Sequence, residues 1–257
     1  MHAVGSDAEA DELFERWLEL RAQFGDRVDV LDLYELLAEA RGVAPEELPH
    51  EDRRSLASRA LEVIWPGFEQ VAALRTSEHI EVVSYRAEWP AKFDAWHDRL
   101  AGTLGDAAIR IDHIGSTSVP GLAAKPVIDI QVSVADLADE RTYVPGCEAA
   151  GLELYTRDDV HRFLTVPSPA PRDVHVHVCE GASAFEHDHL LFRDYLRTHV
   201  ADRNEYAAMK RKAAKRWAED RLAYTYTKSG LILDLLDLAT AWESATGWRV
   251  EDSAAAT

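Results

Sequence analysis

The most constraining feature of this sequence is the segment 127–134, in which apolar and polar residues alternate strictly from Ile128 onward. Such a period of two is the pattern of a β-strand with one face against an apolar core. It places Asp129 and Gln131 together on the opposite, polar face. Residues 108–114 alternate less regularly, from Ile109 to Asp112, and Gly115 ends that segment. We therefore expect two strands, consecutive along the chain, with polar side chains available for chemistry.

Other segments add strands and helices in an irregular order. The pattern predicts an α+β fold, in which a mixed and twisted β-sheet has flanking helices and a helical C-terminal portion. Further strands are predicted at 81–85, 152–155, 162–166 and 173–178, and helices at 89–100, at 135–151 and over most of 184–242.

The first 79 residues differ in composition from the rest and are predicted to be all-helical. They carry more than half of the net charge of −18. Gly25 should break the first helix, while Asp29 should cap the second and Gly42 should end it. The apolar stripe of the first helix comprises Leu13, Trp17, Leu18 and Phe24. The predicted division is a small helical domain at 1–79, an α+β domain at 80–247 and a loose tail at 248–257.

Composition narrows the classes of function. The acidic balance disfavours sequence-independent binding to DNA or RNA, which needs a basic surface. No segment approaches the ~20 apolar residues of a membrane-spanning helix, and the first residues lack the features of a signal peptide. Cys147 and Cys179 form no CxxC motif and are expected to be buried free thiols. We therefore expect a cytoplasmic protein that does not enter a membrane.

A Gly-Ser turn after the first alternating segment is the strongest chemical signal. Gly115 lets the backbone approach a phosphate closely, because glycine has no Cβ. Ser116 and Thr117 add hydroxyls where the N–H groups of a helix start can bind an anion. Asp129 on the next strand is the expected metal ligand, since Mg²⁺ prefers carboxylate and phosphate oxygens. The sequence thus predicts a metal-assisted phosphate site with Asp129 as its catalytic residue.

Basic residues elsewhere are candidates for binding a triphosphate. Lys125 either meets a phosphate or lies solvated in its loop. The basic residues within 210–216 form either a clamp beside the cleft or a solvated helix face. His113 either lines the same cleft or has a structural role. The functional interpretation assigns phosphate contacts to Arg193, Arg197, Lys210, Lys212 and Lys228.

Residues 113–130, His-Ile-Gly-Ser-Thr-Ser-Val-Pro-Gly-Leu-Ala-Ala-Lys-Pro-Val-Ile-Asp-Ile, resemble the signature of the GrpB family. We expect ATP or another nucleoside triphosphate as the substrate of the site, and the resemblance implies the nucleotidyltransferase superfamily fold. It implies no particular reaction, and the first 79 residues lie outside it. Segments similar to the flanking regions of the family are 85–90, 192–197, 204–212 and 224–228, so that the resemblance covers roughly 80–245.

Two positions depart from the superfamily pattern that this resemblance implies. The pattern has a second acidic residue at the position of Gln131 and a third acidic residue on a later strand. The matching strand at 173–178 offers His175 and His177 on one face instead. These histidines either bind a metal or form hydrogen bonds with neighbouring groups. Together with Asp129, and with Gln131 completing or orienting the shell, they predict a single divalent metal, Mg²⁺ or Mn²⁺, with Zn²⁺ also compatible.

Three functions are compatible with such a site. In the first, the protein transfers a nucleotidyl group from a metal-bound nucleoside triphosphate to a small-molecule acceptor, mainly by positioning and electrostatics. In the second, the cleft binds a nucleotide or phosphorylated metabolite without turnover, and the N-terminal helices contact a protein partner. In the third, the histidine pair supports metal-dependent hydrolysis. Metal identity and nucleotide turnover distinguish the three.

Overall fold

The computed structural model describes residues 6–71 and 79–253, which form two compact units. The predicted boundary at residue 79 coincides with only part of this division, because a C-terminal segment belongs to the first unit. Within the described ranges, the first unit comprises 6–66, 79–80 and Lys212–Leu233, and the second comprises 67–71, Glu81–Arg211 and 234–253.

Helices and strands follow one another in an irregular order along the described chain. None of these helices is both long and apolar enough to cross a membrane. The helices are α1 (Ser6–Phe24), α2 (Val30–Arg41), α3 (His50–Ile64), α4 (Trp89–Leu104), α5 (Val144–Ala149), α6 (Ala184–Thr198), α7 (Val200–Arg216), α8 (Arg221–Tyr226) and α9 (Ser229–Thr246). The strands are β1 (Glu69–Gln70), β2 (Arg110–Ile114), β3 (Ile128–Val134), β4 (Glu153–Arg157), β5 (His161–Thr165) and β6 (Val174–Glu180).

Local signals set the helix ends of the first unit as the sequence predicts. The Asp29 carboxylate accepts the backbone N–H of Leu31, and Asp32 reciprocates at the Asp29 N–H, so that a capping box starts α2. Gly42 ends α2 in the left-handed region at φ 65°. The predicted apolar stripe of α1 is wrong at Phe24, which is 53% exposed because it lies in the last turn.

A buried ion pair explains why a C-terminal segment belongs to the first unit. Arg53 on α3 donates through Nε to Asp220, which caps α8, at 2.7 Å. The Arg53 guanidinium also lies over the ring of Trp217, which contacts Tyr34 of α2. Trp217 is buried with these partners. The core of the helical unit is therefore completed by residues that lie far along the chain.

The second unit contains a six-stranded mixed sheet, which confirms the predicted α+β fold class. The strand order is β1-β4-β5-β6-β3-β2. Only β3 and β6 pair in parallel, and the other neighbours are antiparallel. These two parallel strands lie in the interior of the sheet, and they carry the residues that the sequence singled out.

The two faces of the central strands differ in character. One face carries the isoleucines and valines of β3 and β6, which pack with the apolar side chains of α4 and α5 in the core. The other face is polar, and α6 supplies contacts to it: Glu186 bonds to Ser133 of β3, and Arg193 approaches Asp112 of β2. Cys147 is buried and free, as is Cys179.

Two predicted elements differ in the structure. Instead of a strand at 81–85, Val83 forms a single bridge with Ala124. On one side the pairing cannot continue in the usual way, because Pro126, two residues after Ala124, has no N–H to donate. The helix predicted over 135–151 is reduced to α5 and one turn of 3₁₀ helix.

The described part of the predicted loose tail is ordered by a group of charged residues. Ser253 is buried, and its hydroxyl donates to Asp194 at 2.8 Å and contacts Arg193. Arg110 donates to the backbone oxygens of Val250 and Ser253, both at 3.1 Å. The prediction is therefore corrected for 248–253, while 254–257 lie outside the described residues. We refer to Arg110, Asp112, Arg193, Asp194 and Ser253 as the arginine cluster.

Candidate metal and phosphate site

Strand register brings the predicted metal ligands together on the polar face of the sheet. The parallel pairing of β3 with β6 aligns Asp129 with His175, and Gln131 with His177. One ligand atom from each of Asp129, His175 and His177 lies within 4.8 Å of the others. His175 Nδ1 is 2.9 Å from Asp129 Oδ1. We refer to these four residues as the metal-site cluster.

The electrostatics of this cluster suit a metal ion. Burial alone would raise the pKa of Asp129, but the hydrogen bond with His175 and the charges of His175, His177 and Lys125 outweigh burial and lower it to about 2. Burial lowers the pKa of His177 well below its ordinary value, and the charge of His161 lowers it further. Metal ligands must be deprotonated, so Asp129 and His177 are in the required state at neutral pH.

Gly115 lies directly against the metal-site cluster. Its φ of 67° is in the left-handed region, and a Cβ added there would lie 2.4 Å from Asp129 Oδ2. Any side chain at this position would displace the carboxylate. The glycine is therefore required for two reasons, the backbone conformation and the close approach of Asp129.

Lys210 and Ser116 form a polar contact at the same turn. Lys210 on α7 is almost fully buried, and its Nζ donates to Ser116 Oγ at 2.7 Å. The ammonium group also lies 4.5 Å from the ring centroid of Tyr206. Lys125 is half-buried and close enough to lower the pKa of Asp129. Two of the predicted phosphate contacts thus lie beside the Gly-Ser turn and the carboxylate.

Thr117 and His113 make contacts in the interior. The Thr117 hydroxyl therefore does not face the predicted anion site, and His113 has the structural role that was one of its two predicted alternatives. The Thr117 hydroxyl is buried, donates to the Val127 carbonyl at 3.1 Å and contacts His113 Nε2 at 3.0 Å. His113 pairs across the sheet with Ile130, so its ring is on the apolar face, where it stacks on Phe93. Burial lowers the pKa of His113 to about 4.

Of the remaining basic candidates, Arg197 lies beside the turn, where its guanidinium donates to the Ser118 carbonyl at 2.9 Å and 3.2 Å. Arg193 is buried within the arginine cluster, where it donates to the His113 carbonyl at 3.0 Å and to Asp194 at 2.8 Å. These contacts favour a structural role over the predicted phosphate clamp. Lys212 and Lys228 belong to the first unit, where Lys212 is exposed and Lys228 lies over the Tyr224 ring.

Sequence reasoning missed a group of aromatic rings around His177. Phe163 of β5 and Phe185 of α6 have ring centroids 5.3 Å and 6.3 Å from that of His177. His161 stacks on His177 at 5.7 Å, and His189 does so at 6.4 Å. The strand predicted at 162–166 contains Phe163 but not His161, and a predicted strand does not identify what covers each of its faces.

The match to a family model places this chain among known proteins. Residues 79–237 match the family described as GrpB protein, which is more than half of the chain, and the residues that surround the site lie within the match. The chain belongs to the GrpB family. Residues before position 79 lie outside the matched region.

Individual relatives agree with this assignment. The chain is 43% identical over 162 residues to a UPF0157 protein of Streptomyces coelicolor, covering 63% of this chain and 85% of the relative. It is 38% identical to a UPF0157 protein of Halalkalibacterium halodurans, covering 63% and 83%. The crystal structure of conserved protein GrpB from Enterococcus faecalis is similar with a TM-score of 0.56 and 29% identity, covering 63% of this chain and all of that one.

Proposed function

We propose that the second unit binds a nucleoside triphosphate through a divalent metal and transfers its nucleotidyl group to a small-molecule acceptor. The observation that carries the proposal is the convergence of Asp129, His175 and His177 within 4.8 Å, directly beside the Gly115 turn. A metal next to a turn with backbone N–H groups is the arrangement that phosphate binding requires.

Each group near the turn has a distinct role in this proposal. Asp129 supplies the anionic ligand, and His175 and His177 supply two imidazole ligands. Backbone N–H groups after Gly115 face the phosphates, and the Lys210 ammonium group beside Ser116 offsets their charge. A bound cation is essential, because the net charge of −18 would otherwise repel a triphosphate.

In the proposed reaction an acceptor hydroxyl or amine attacks the α-phosphorus atom. The new bond joins the acceptor to the nucleotidyl group, the bond to pyrophosphate breaks, and the acceptor loses its proton to water. The protein contributes mainly by holding the two reactants in line and by stabilising charge on the phosphate oxygens.

A second candidate is binding without turnover, and one observation favours it. Position 131 is an amide, and Gln131 Nε2 is directed to the backbone oxygen of Glu186 at 3.5 Å. Phosphoryl chemistry with two metals uses several carboxylate ligands, and the metal-site cluster contains one. Under this alternative the same cleft holds a nucleotide or phosphorylated metabolite and releases it unchanged.

Binding is tested by calorimetric titration of ATP, CTP, GTP and UTP in Mg²⁺, Mn²⁺, Zn²⁺ or chelator. We expect affinity only with a metal, and Asp129→Ala should weaken it by roughly 10- to 150-fold, the equivalent of losing a contact to a charged group. Asp106→Ala, which removes an exposed carboxylate of the same unit, is the matched control and should bind like the wild type. Equal binding by the Asp129→Ala variant in chelator would refute the metal assignment.

Turnover is tested separately, by measuring what the bound nucleotide releases when mixed small-molecule acceptors are added. Pyrophosphate together with a nucleotidylated acceptor supports transfer. An intact nucleotide after long incubation supports the binding alternative. Products of attack by water in the absence of acceptor support hydrolysis instead.

A further inference from the structure

Two buried polar atoms in the metal-site cluster lack a hydrogen-bond partner among the described residues. They are Gln131 Oε1 and His177 Nδ1. Gln131 is fully buried, and its backbone is aligned with that of His177 on the neighbouring parallel strand. An unsatisfied buried acceptor is destabilising, and native proteins normally supply a partner. Two such atoms on residues that are aligned across neighbouring strands indicate that one state of the protein pairs them.

The orientation of the Gln131 amide follows from its other contact. The amide approaches the backbone oxygen of Glu186 at 3.5 Å. That oxygen can only accept hydrogen bonds, so the amide must present Nε2 to it, and a flipped amide would set two acceptors against each other. Oε1 is therefore the end of the amide that remains for another donor. Glu186 lies in the first turn of α6, so that this helix holds the amide in place.

A metal-bound imidazole has one nitrogen on the metal and carries a proton on the other. The protonated nitrogen normally donates to an oxygen near the metal centre, which fixes the tautomer and the ring orientation. His177 Nδ1 is the ring nitrogen without a partner, and Gln131, aligned with His177 on the adjacent strand, carries an acceptor without a donor at Oε1. Their hydrogen bond would satisfy both atoms.

We propose that in the metal-bound protein Gln131 Oε1 accepts a hydrogen bond from His177 Nδ1 and thereby directs His177 Nε2 to the metal. Gln131 is then a positioning residue. The inference rests on the metal site of the proposed function. This role also explains why position 131 can be an amide where the superfamily pattern has an acid. In this protein the side chain at position 131 orients a histidine and does not bind the metal itself.

The neutral amide also determines which metal the site prefers. With Gln131 outside the coordination shell, the protein ligands are one carboxylate and two imidazoles. Imidazole suits Zn²⁺ and similar transition metals, whereas Mg²⁺ is bound mainly through oxygen ligands. The site should therefore bind Zn²⁺ or Mn²⁺ more tightly than Mg²⁺. A carboxylate at position 131 should narrow that difference.

The first test is nitrogen NMR of the full-length chain, labelled in histidine and loaded with Zn²⁺. We expect the His177 signals to show a protonated Nδ1 and a metal-bound Nε2 in the wild-type protein. A metal on Nδ1 would overturn the inference directly, without any variant.

The second test measures metal affinity by competition with a chromophoric chelator. Gln131→Leu removes the acceptor and should weaken Zn²⁺ binding by roughly 10- to 100-fold, as is usual for such partners of metal ligands. Gln131→Glu keeps an acceptor of the same length and should bind Zn²⁺ at least as well as the wild type, with improved Mg²⁺ affinity. Ser133→Ala is the matched control, because it removes a buried hydrogen bond on the same strand face and should leave metal affinity unchanged.

The outcomes separate this inference from the proposed function. Wild-type affinity of Gln131→Leu for Zn²⁺, with the same His177 nitrogen on the metal, overturns the inference and leaves the metal site intact. Tight metal binding without any nucleotide affinity overturns the proposed function and leaves the role of Gln131 intact. If the Leu variant does not fold, the wild-type NMR result and the Glu variant still decide.

Discussion

The arginine cluster and the metal-site cluster share the polar face of one sheet, yet they differ in how their polar atoms are satisfied. Asp112 and Gln131 are cross-strand partners, so the two groups are immediate neighbours. In the arginine cluster, Asp112 receives two hydrogen bonds from Arg110, and Ser253 completes the contacts of Arg193. In the metal-site cluster, Gln131 retains an acceptor without a partner.

This difference teaches that residue type alone does not separate structural from functional groups. Arginines are natural phosphate ligands, but Arg193 is directed to a carbonyl, a carboxylate and a hydroxyl of its own chain. The histidines of β6 are less conspicuous in the sequence, yet they converge with a carboxylate. The satisfaction of buried polar atoms is the observation that distinguishes the two groups.

The largest expected loss of stability comes from removing a buried arginine of the arginine cluster. Arg193→Met should destabilise the protein by about 3–5 kcal/mol, because it breaks a buried charged network at its centre: Asp194 loses its shortest contact with a cation, and the His113 carbonyl loses its donor. Chemical denaturation measures this loss, and Arg211→Met at an exposed position of α7 is the control. Metal affinity of the folded fraction should be unchanged. A small loss of stability combined with weak nucleotide binding would instead return Arg193 to the phosphate site.

The sequence predicts the strands of the second unit well where apolar and polar residues alternate with a period of two. The alternation of 127–134 correctly predicts β3 and the shared face of Asp129 and Gln131, since a strand has a fixed side-chain period of two. The alternation of 173–178 does the same for His175 and His177, so their convergence could be predicted once the strands were taken as neighbours.

Local sequence patterns could not predict contacts between residues that lie far apart along the chain. Lys210 and Lys212 are two residues apart on α7, but only Lys210 contacts the Gly-Ser turn. Which lysine turns inward depends on how α7 packs, and the charge pattern carries no such information. The membership of Asp220 in the first unit depends likewise on its buried pair with Arg53, 167 residues earlier.

A smaller expected loss of stability, seen as pH is lowered, comes from His113, which lies outside the metal-site cluster. The pKa of His113 is about 4 in the folded protein and about 6.5 when unfolded. Folding therefore favours the neutral ring, and the stability it contributes is complete above pH 6.5 and lost as pH falls toward 4. Between pH 7 and pH 5 this group should account for a loss of about 2 kcal/mol.

His113→Phe tests this contribution, because phenylalanine can retain the stacking on Phe93 without titrating. Urea denaturation at pH 7 and pH 5 should show a smaller decrease in stability for the variant than for the wild type. His50→Gln, at an exposed position, should follow the wild type. An unchanged pH dependence in His113→Phe, accompanied by weaker metal binding, would place His113 in the site and contradict the comparison.

The smallest expected loss of stability comes from a change at Ser253, the last described residue. Ser253→Ala removes the hydroxyl between Arg193 and Asp194, but Asp194 keeps its contacts with Arg193 and Arg197. We therefore expect a loss of about 1 kcal/mol, typical of one hydrogen bond. Ser58→Ala removes an exposed hydroxyl that bonds only within its helix, so denaturation should hardly change. Equal stability of both variants with the wild type would mean that Ser253 does not close the arginine cluster, and that Arg110 holds the C-terminal segment through its backbone oxygens alone.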